Sequence, residues 1–246
     1  MRIIAHRGAS AHAPENTLGA ISLAWEHQAD GVEIDVRLTA DNEWVVIHDA
    51  DLRRTGGLRI AVEISPWARL RDCRVGAWYG PDWTSEPLPR FEQVVEALPA
   101  NKHLLVEIKT DQPARVAAAW QKQTALWTSD QTATMIVMSF YARVLEAIRE
   151  TGWAGPLFWL WNGRRPRLGP DARVAAFSPW DGVGLAARAA TRTGMRAALR
   201  EAGALASVWT VNRPADVRRC YRANWDYLTT DDPRMAREAL AGISMD

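Results

Sequence analysis

The sequence predicts an α/β protein, and within that class a (β/α)8 TIM barrel with a small insertion after the second strand. Three observations predict it. Apolar runs of strand length recur eight times along the 246 residues. Amphipathic segments of helical period separate most of them, so successive strands run parallel and are joined by crossover helices. The length suits one barrel domain, residues 1–246, without a second core.

The first run, IIA at 3–5, leads into His6-Arg7-Gly8, where Gly8 can end the strand. The loop GASAHAP follows, and Asn16-Thr17 can cap a helix over TLGAISLAWEHQ. The second run is VEIDV at 32–36. It continues as VEIDVRL, and only TADNE separates that from WVVIHD, too short for a crossover helix, so this run returns antiparallel as a hairpin. With Ala40–Glu43 as its loop, Thr39 faces Trp44 and Asp35 faces His48. Residues 49–90 are rich in Gly and Pro and read as an insertion at the barrel mouth. Its Trp67, Trp78, Tyr79 and Trp83 form either a local core or a lid over substrate. The helix PRFEQVVEAL follows. Further strands are expected at 104–108, 134–139, 156–160, 174–178, 207–211 and 227–230, with helices such as YARVLEAIRETG and PADVRRCYRANW between them.

A hydrophobic content of 48% supplies a large core. A net charge of +1 gives no field for nucleic acid or an anionic membrane, and the basic cluster RRPR at 164–167 reads as a solvated loop. No apolar run approaches the ~20 residues of a membrane span, and no signal-peptide pattern precedes the first strand. Cys73 and Cys220, far apart in sequence, read as free thiols in a reducing compartment. A cytoplasmic protein is expected.

Residues two apart on a strand share a face. Glu33 and Asp35 therefore point one way on the second strand, and Glu107 and Lys109 do so on the next. Carboxylates turned into an apolar barrel are costly alone. At the C-terminal ends of the strands they can converge on the mouth, where barrel active sites lie. Three together call for a cation, and all-oxygen ligation suits Mg²⁺ or Ca²⁺ over zinc. The bland alternative is salt bridging to Lys109 and Arg37. His6 and His48 reach the same mouth from the first strand and the hairpin, and Arg7 follows His6. A divalent cation with Arg and Lys neutralises a phosphate, and two imidazoles can serve as acid and base on either side of phosphorus. Cleavage of a phosphodiester uses every part.

The stretches HRGASAHAPENT, GVEIDVRLTADNEWVVIHD, LRRT, PLPRFEQVVE, LLVEIK, SF at 139–140, WTVN at 209–212 and DYLTTDDP at 226–233 run nearly from end to end. In them the chain resembles the glycerophosphodiester phosphodiesterase family. The resemblance implies a metal-dependent hydrolase of glycerol and lipid metabolism, releasing sn-glycerol 3-phosphate and an alcohol, with attack by the glycerol 2-hydroxyl through a cyclic phosphate. It implies a divalent cation (Mg²⁺ or Ca²⁺, with Mn²⁺ as a further option) on Glu33, Asp35 and Glu107. It implies His6 and His48 as acid–base pair, Arg7 and Lys109 on the phosphate, and Trp209 in the substrate pocket. DLRRTGGLRIAVEISPWARL departs from the family pattern, which bears on headgroup preference. The expected partner is a small-molecule glycerophosphodiester, with neither nucleic acid nor stable membrane insertion. Two alternatives share these residues: a lysophospholipase D or phospholipase C acting on lipid phosphodiesters, and a non-catalytic phosphodiester-binding barrel.

Overall fold

The computed structural model describes residues 1–125, 127–162, 179–190 and 195–242. Its strands are β1 (Arg2–His6), β2 (Gly31–Leu38), β3 (Trp44–Val46), β4 (His103–Ile108), β5 (Met135–Ser139), β6 (Leu157–Trp161), β7 (Gly182–Ala186), β8 (Leu205–Trp209) and β9 (Tyr227–Thr230). All but β3 are parallel, and β1 pairs with both β9 and β2, which closes an eight-stranded barrel. Helices such as Leu18–Glu26, Pro113–Thr124, Ala142–Glu150 and Pro214–Arg222 intervene between strands, and Pro233–Ala241 follows the last.

Strand alternation divides the core in two. Ile4, Leu105, Ile136, Phe158, Leu160 and Tyr227 fill the barrel interior. Their neighbours Val32, Ile34, Leu104, Val106 and Val137 face outward and are buried beneath helical residues such as Ile21, Val116 and Val144. Full burial of such side chains contributes about 1.5–3 kcal/mol each. Several of the thirteen tryptophans work here: Trp120 meets Trp44 and Trp153 edge to face and stacks on Phe91.

One expected strand is displaced. Residues 174–178, like the basic cluster at 164–167, lie outside the described residues, and the place between β6 and β8 is taken by Gly182–Ala186. This strand reads GVGLA, and glycine at alternate positions hides it. The glycines are there because the barrel interior is already full. A Cβ on Gly182 would lie 2.4 Å from the Phe158 ring, and one on Gly184 would lie 2.4 Å from Leu160 Cδ2.

The hairpin register also differs by one residue. Leu38 faces Trp44 and Val36 faces Val46, so Asp35 meets Ile47, whose amide donates to the Asp35 carbonyl at 2.9 Å. Asn42 adopts a left-handed conformation (φ +64), which closes the hairpin on Thr39 and Glu43 through a shorter loop than expected. His48 follows just beyond the ladder.

Beyond the hairpin, Val45, Ile47, Leu52, Val62, Leu70, Cys73, Val75 and Leu88 form a small core of their own, with Trp67 packed on its edge. Tyr79 meets Trp78 and Trp83 edge to face, and its hydroxyl donates to the Ala11 carbonyl at 2.7 Å. Trp83 lies so close to Gly19 that a Cβ there would stand 2.5 Å from its ring. These aromatics seal the segment against the β1 loop and the first helix. Both cysteines are free.

Candidate active site

β2 is longer than β1, and its edge changes partner midway. His6, the last residue of β1, pairs with Glu33. Arg7 N–H then donates to the Glu33 carbonyl at 2.8 Å, and two residues on, Ile47 N–H takes the Asp35 carbonyl. His6, Arg7 and the end of β3 are thereby gathered at one point. The turn needs left-handed backbone at Arg7 (φ +58) and Gly8 (φ +84). Gly8 has no substitute, because a Cβ would lie 2.6 Å from the Ala20 backbone.

Glu33, Asp35 and Glu107 are buried together, with one ligand oxygen from each within 4.8 Å of the others. Asp35 and Glu107 are register partners on β2 and β4. Lys109 Nζ lies 2.7 Å from Glu107 and 3.4 Å from Asp35. Arg7 Nε lies 2.9 Å from Asp35 Oδ2. Of the bland alternative, the Lys109 half is present, as a bridge to Glu107 and Asp35 within the mouth, whereas Arg37 turns instead to Glu63 and the His48 carbonyl. Burial, the Asp35 charge and Glu107 push the Glu33 carboxyl up to about 8, against His6 and Arg7. Burial also raises Asp35, but Arg7, Lys109, His48 and an Asn16 hydrogen bond together hold it down to about 2. Glu107 is raised by burial and Asp35. Carboxylates crowded in a buried place raise one another's pKa, and such perturbed groups gather at functional sites.

Each imidazole is oriented by a carboxylate at Nδ1. His6 Nδ1 lies 2.6 Å from Asp231, and His48 Nδ1 lies 2.8 Å from Asp49. That contact assigns the proton to Nδ1 and leaves Nε2 for the site. Burial lowers the His6 pKa, but Asp231 and Glu33 outweigh it and the net shift is upward. At His48 burial prevails over Asp35, with help from Arg7, and the shift is downward.

Asp231, Asp49 and Glu15 are parts of this arrangement that local sequence pattern does not mark. Asn16, expected as a cap, instead clamps Asp35: its amide donates to Oδ2 at 2.9 Å, and its carbonyl oxygen accepts from the Asp35 N–H at 3.1 Å. Thr17 alone caps the helix, accepting from Ala20 N–H. Glu15 bridges Arg7 and Arg54, and Arg54 reaches on to Asp49 at 2.7 Å. The one available signal was that DYLTTDDP ends a barrel strand in carboxylates, at the face where sites are built.

His6, Arg7, Glu33, His48, Glu107 and Lys109 line a cavity of about 240 Å³, and Met138, Phe140, Leu160 and Trp209 supply apolar wall. Trp209 stands edge to face with Phe140, and its buried Nε1 has no hydrogen-bond partner. Trp67, Trp78, Tyr79 and Trp83 are not among the lining residues.

A divalent cation fits this chain. The donors are oxygens from three carboxylates, and Asp35 Oδ1 is buried without a hydrogen bond although Lys109 stands near. Hard cations take such sets.

The family model described as "Glycerophosphoryl diester phosphodiesterase family" matches residues 6–235. YhdW of Bacillus subtilis, assigned to the glycerophosphodiester phosphodiesterases, is 32% identical over 235 residues, 95% of each chain. The crystal structure of a glycerophosphodiester phosphodiesterase from Thermotoga maritima is 26% identical, with a TM-score of 0.77 over 97% of both chains. A phosphodiesterase from Oleispira antarctica, solved with the product sn-glycerol-3-phosphate, shares the fold at a TM-score of 0.88, with 23% identity over 98% of this chain and 97% of that one. Barrel, site and similarity over nearly the whole length agree: the chain belongs to the glycerophosphoryl diester phosphodiesterase family and is an enzyme of that class.

Proposed function

We propose that this enzyme cleaves small glycerophosphodiesters to sn-glycerol 3-phosphate and an alcohol, in the cytoplasm, with a divalent cation held by Glu33, Asp35 and Glu107. The observation that carries the reading is the convergence on one cavity of two carboxylate-held imidazoles, Arg7, Lys109, and Glu33 and Glu107, with Asp35 buried beside those two carboxylates. Its similarity to YhdW supports the substrate class. Among the described residues no helix is long and apolar enough to cross a membrane, which accords with a small diffusible substrate.

Mg²⁺ or Ca²⁺, when bound, polarises a phosphoryl oxygen and screens the carboxylates. Lys109 and Arg7 supply positive charge to the remaining phosphoryl oxygens. His48, kept neutral by burial, removes the proton of the glycerol 2-hydroxyl. That oxygen bonds to phosphorus as the bond to the alcohol oxygen breaks, and His6, whose pKa Asp231 raises, gives the departing oxygen its proton. Water then opens the cyclic phosphate with the two histidines exchanging roles. Trp209 Nε1 is a free donor in the pocket wall for the glycerol portion.

The test is release of choline from glycerophosphocholine and from lysophosphatidylcholine, with chelator and with Mg²⁺, Ca²⁺ or Mn²⁺ restored. Activity on the non-acylated diesters that vanishes with chelator is expected. Full turnover in excess chelator, or turnover of the lysolipid alone, defeats the reading.

A further inference from the structure

Away from the carboxylate cluster, three side chains from distant parts of the chain meet on the barrel rim. His12 belongs to the loop after β1, His27 is the C-cap of the helix Leu18–Glu26, and Asp232 is the N-cap of the helix Pro233–Ala241. A potential ligand atom from each lies within 4.8 Å of the other two. We propose that His12, His27 and Asp232 form a second metal site, for a borderline transition-metal ion such as Zn²⁺ or Co²⁺.

The orientation of the donors supports this. His12 Nε2 and His27 Nδ1 are both shut off from solvent; His12 Nε2 faces the Asp232 carboxylate, and His27 Nδ1 has no hydrogen-bond partner. Leaving a polar atom in that state is costly. The two rings stand edge to face at 5.1 Å, so both can turn a nitrogen toward one point. Asp232 divides its oxygens: Oδ1 accepts from the Met235 N–H at 2.9 Å, and Oδ2 stands 3.1 Å from His12 Nε2. Donors on a tetrahedral ion at ~2.0–2.1 Å are themselves about 3.3 Å apart, so the set needs side-chain adjustment only.

The chemistry selects the ion. Two imidazoles and a carboxylate suit zinc and its neighbours, whereas Mg²⁺ and Ca²⁺ prefer the all-oxygen cluster. Three protein ligands leave a fourth position for water. The carbonyl end of a helix at His27 also favours a cation.

The position gives the site a purpose. Asp232 follows Asp231, the partner of His6, and His12 rides on the loop between Arg7 and Glu15. An ion here ties that loop to the start of the last helix, and so braces the side of the mouth that holds His6.

Binding is measured without any assay of turnover, so the outcome is independent of the proposed reaction. Metal-free protein in excess Mg²⁺ is titrated with Co²⁺, followed by calorimetry and by visible absorption. Wild type is expected to take up one Co²⁺ with the intense absorption of a tetrahedral, nitrogen-ligated ion. His12→Ala, His27→Ala and Asp232→Asn should each weaken that event by at least about tenfold, and Glu107→Gln should retain it. Asparagine keeps the helix cap, so Asp232→Asn separates ligation from folding. Zn²⁺ should raise the melting temperature of wild type and leave that of His27→Gln unchanged. No uptake at micromolar Co²⁺, undiminished uptake in both histidine variants, or loss of the event in Glu107→Gln or His6→Ala would overturn the proposal.

Discussion

Asp231 Oδ1 lies 2.6 Å from His6 Nδ1, although 225 residues separate the two. Closure of the barrel, with β9 beside β1, brings them together. The same carboxylate takes hydrogen bonds from Ser10 at 3.2 Å and from the Asn212 amide, so its position is held from three sides.

That contact sets the first prediction. Asp231 raises the His6 pKa and keeps the ring protonated to higher pH. Asp231→Asn removes the charge, so the alkaline limb of the kcat/KM profile should move to lower pH. His6→Ala should lose that limb altogether, with roughly 10²–10⁴ of turnover, and Asp231→Asn should fall between it and wild type. A profile unchanged in Asp231→Asn would remove His6 as the acid.

A second prediction concerns stability without metal. The Glu33 carboxyl is pushed up to about 8 from an ordinary 4.5. Between those values the folded chain binds more protons at this group than the unfolded chain, so its contribution to stability falls as pH rises. Chelated wild type should therefore lose melting temperature from pH 5 to pH 8 more steeply than Glu33→Gln. Added Mg²⁺ or Ca²⁺ should stabilise wild type most at the upper end. Parallel curves for the two chelated proteins would refute this.

Gly182 offers a test of the barrel interior. A methyl group there meets the Phe158 ring at 2.4 Å, and both residues are buried. Gly182→Ala should cost about 1–3 kcal/mol through overpacking. Combined with Phe158→Leu it should cost less than the sum of the two single changes. Denaturant titration of the four proteins measures this, and simple additivity would mean that the two side chains do not compete for space.

The insertion's aromatics can be separated from substrate recognition. Trp83 packs on Gly19 and Tyr79, and it does not line the cavity. Trp83→Ala should lower the melting temperature, by less than the ~3–5 kcal/mol equivalent of a fully buried ring because Trp83 is half-buried. The ranking of kcat/KM among three glycerophosphodiester headgroups should hold. A changed ranking at unchanged stability would restore the lid.

What could be read from the sequence was local. The apolar triplet before His6 marked a buried strand. The alternation of Glu33 with Asp35, and of Glu107 with Lys109, marked which side chains share a face, because a strand repeats every two residues. The five-residue gap before Trp44 required a hairpin, since no crossover fits within it. Tertiary structure decided whatever depends on neighbours distant in the chain. Asp231 reaches His6 only because the ring closes. Asn16 clamps Asp35 only because a left-handed turn at Arg7 folds the loop back. The hairpin register shifted by one because Asn42 takes a conformation that its identity permits but does not compel. The strand Gly182–Ala186 was hidden because its inward glycines answer to the volumes of Phe158 and Leu160 on the next strand. Periodicity along a chain is a property of local backbone geometry; which carboxylate holds which imidazole is a property of packing, and packing is settled only when the whole barrel is closed.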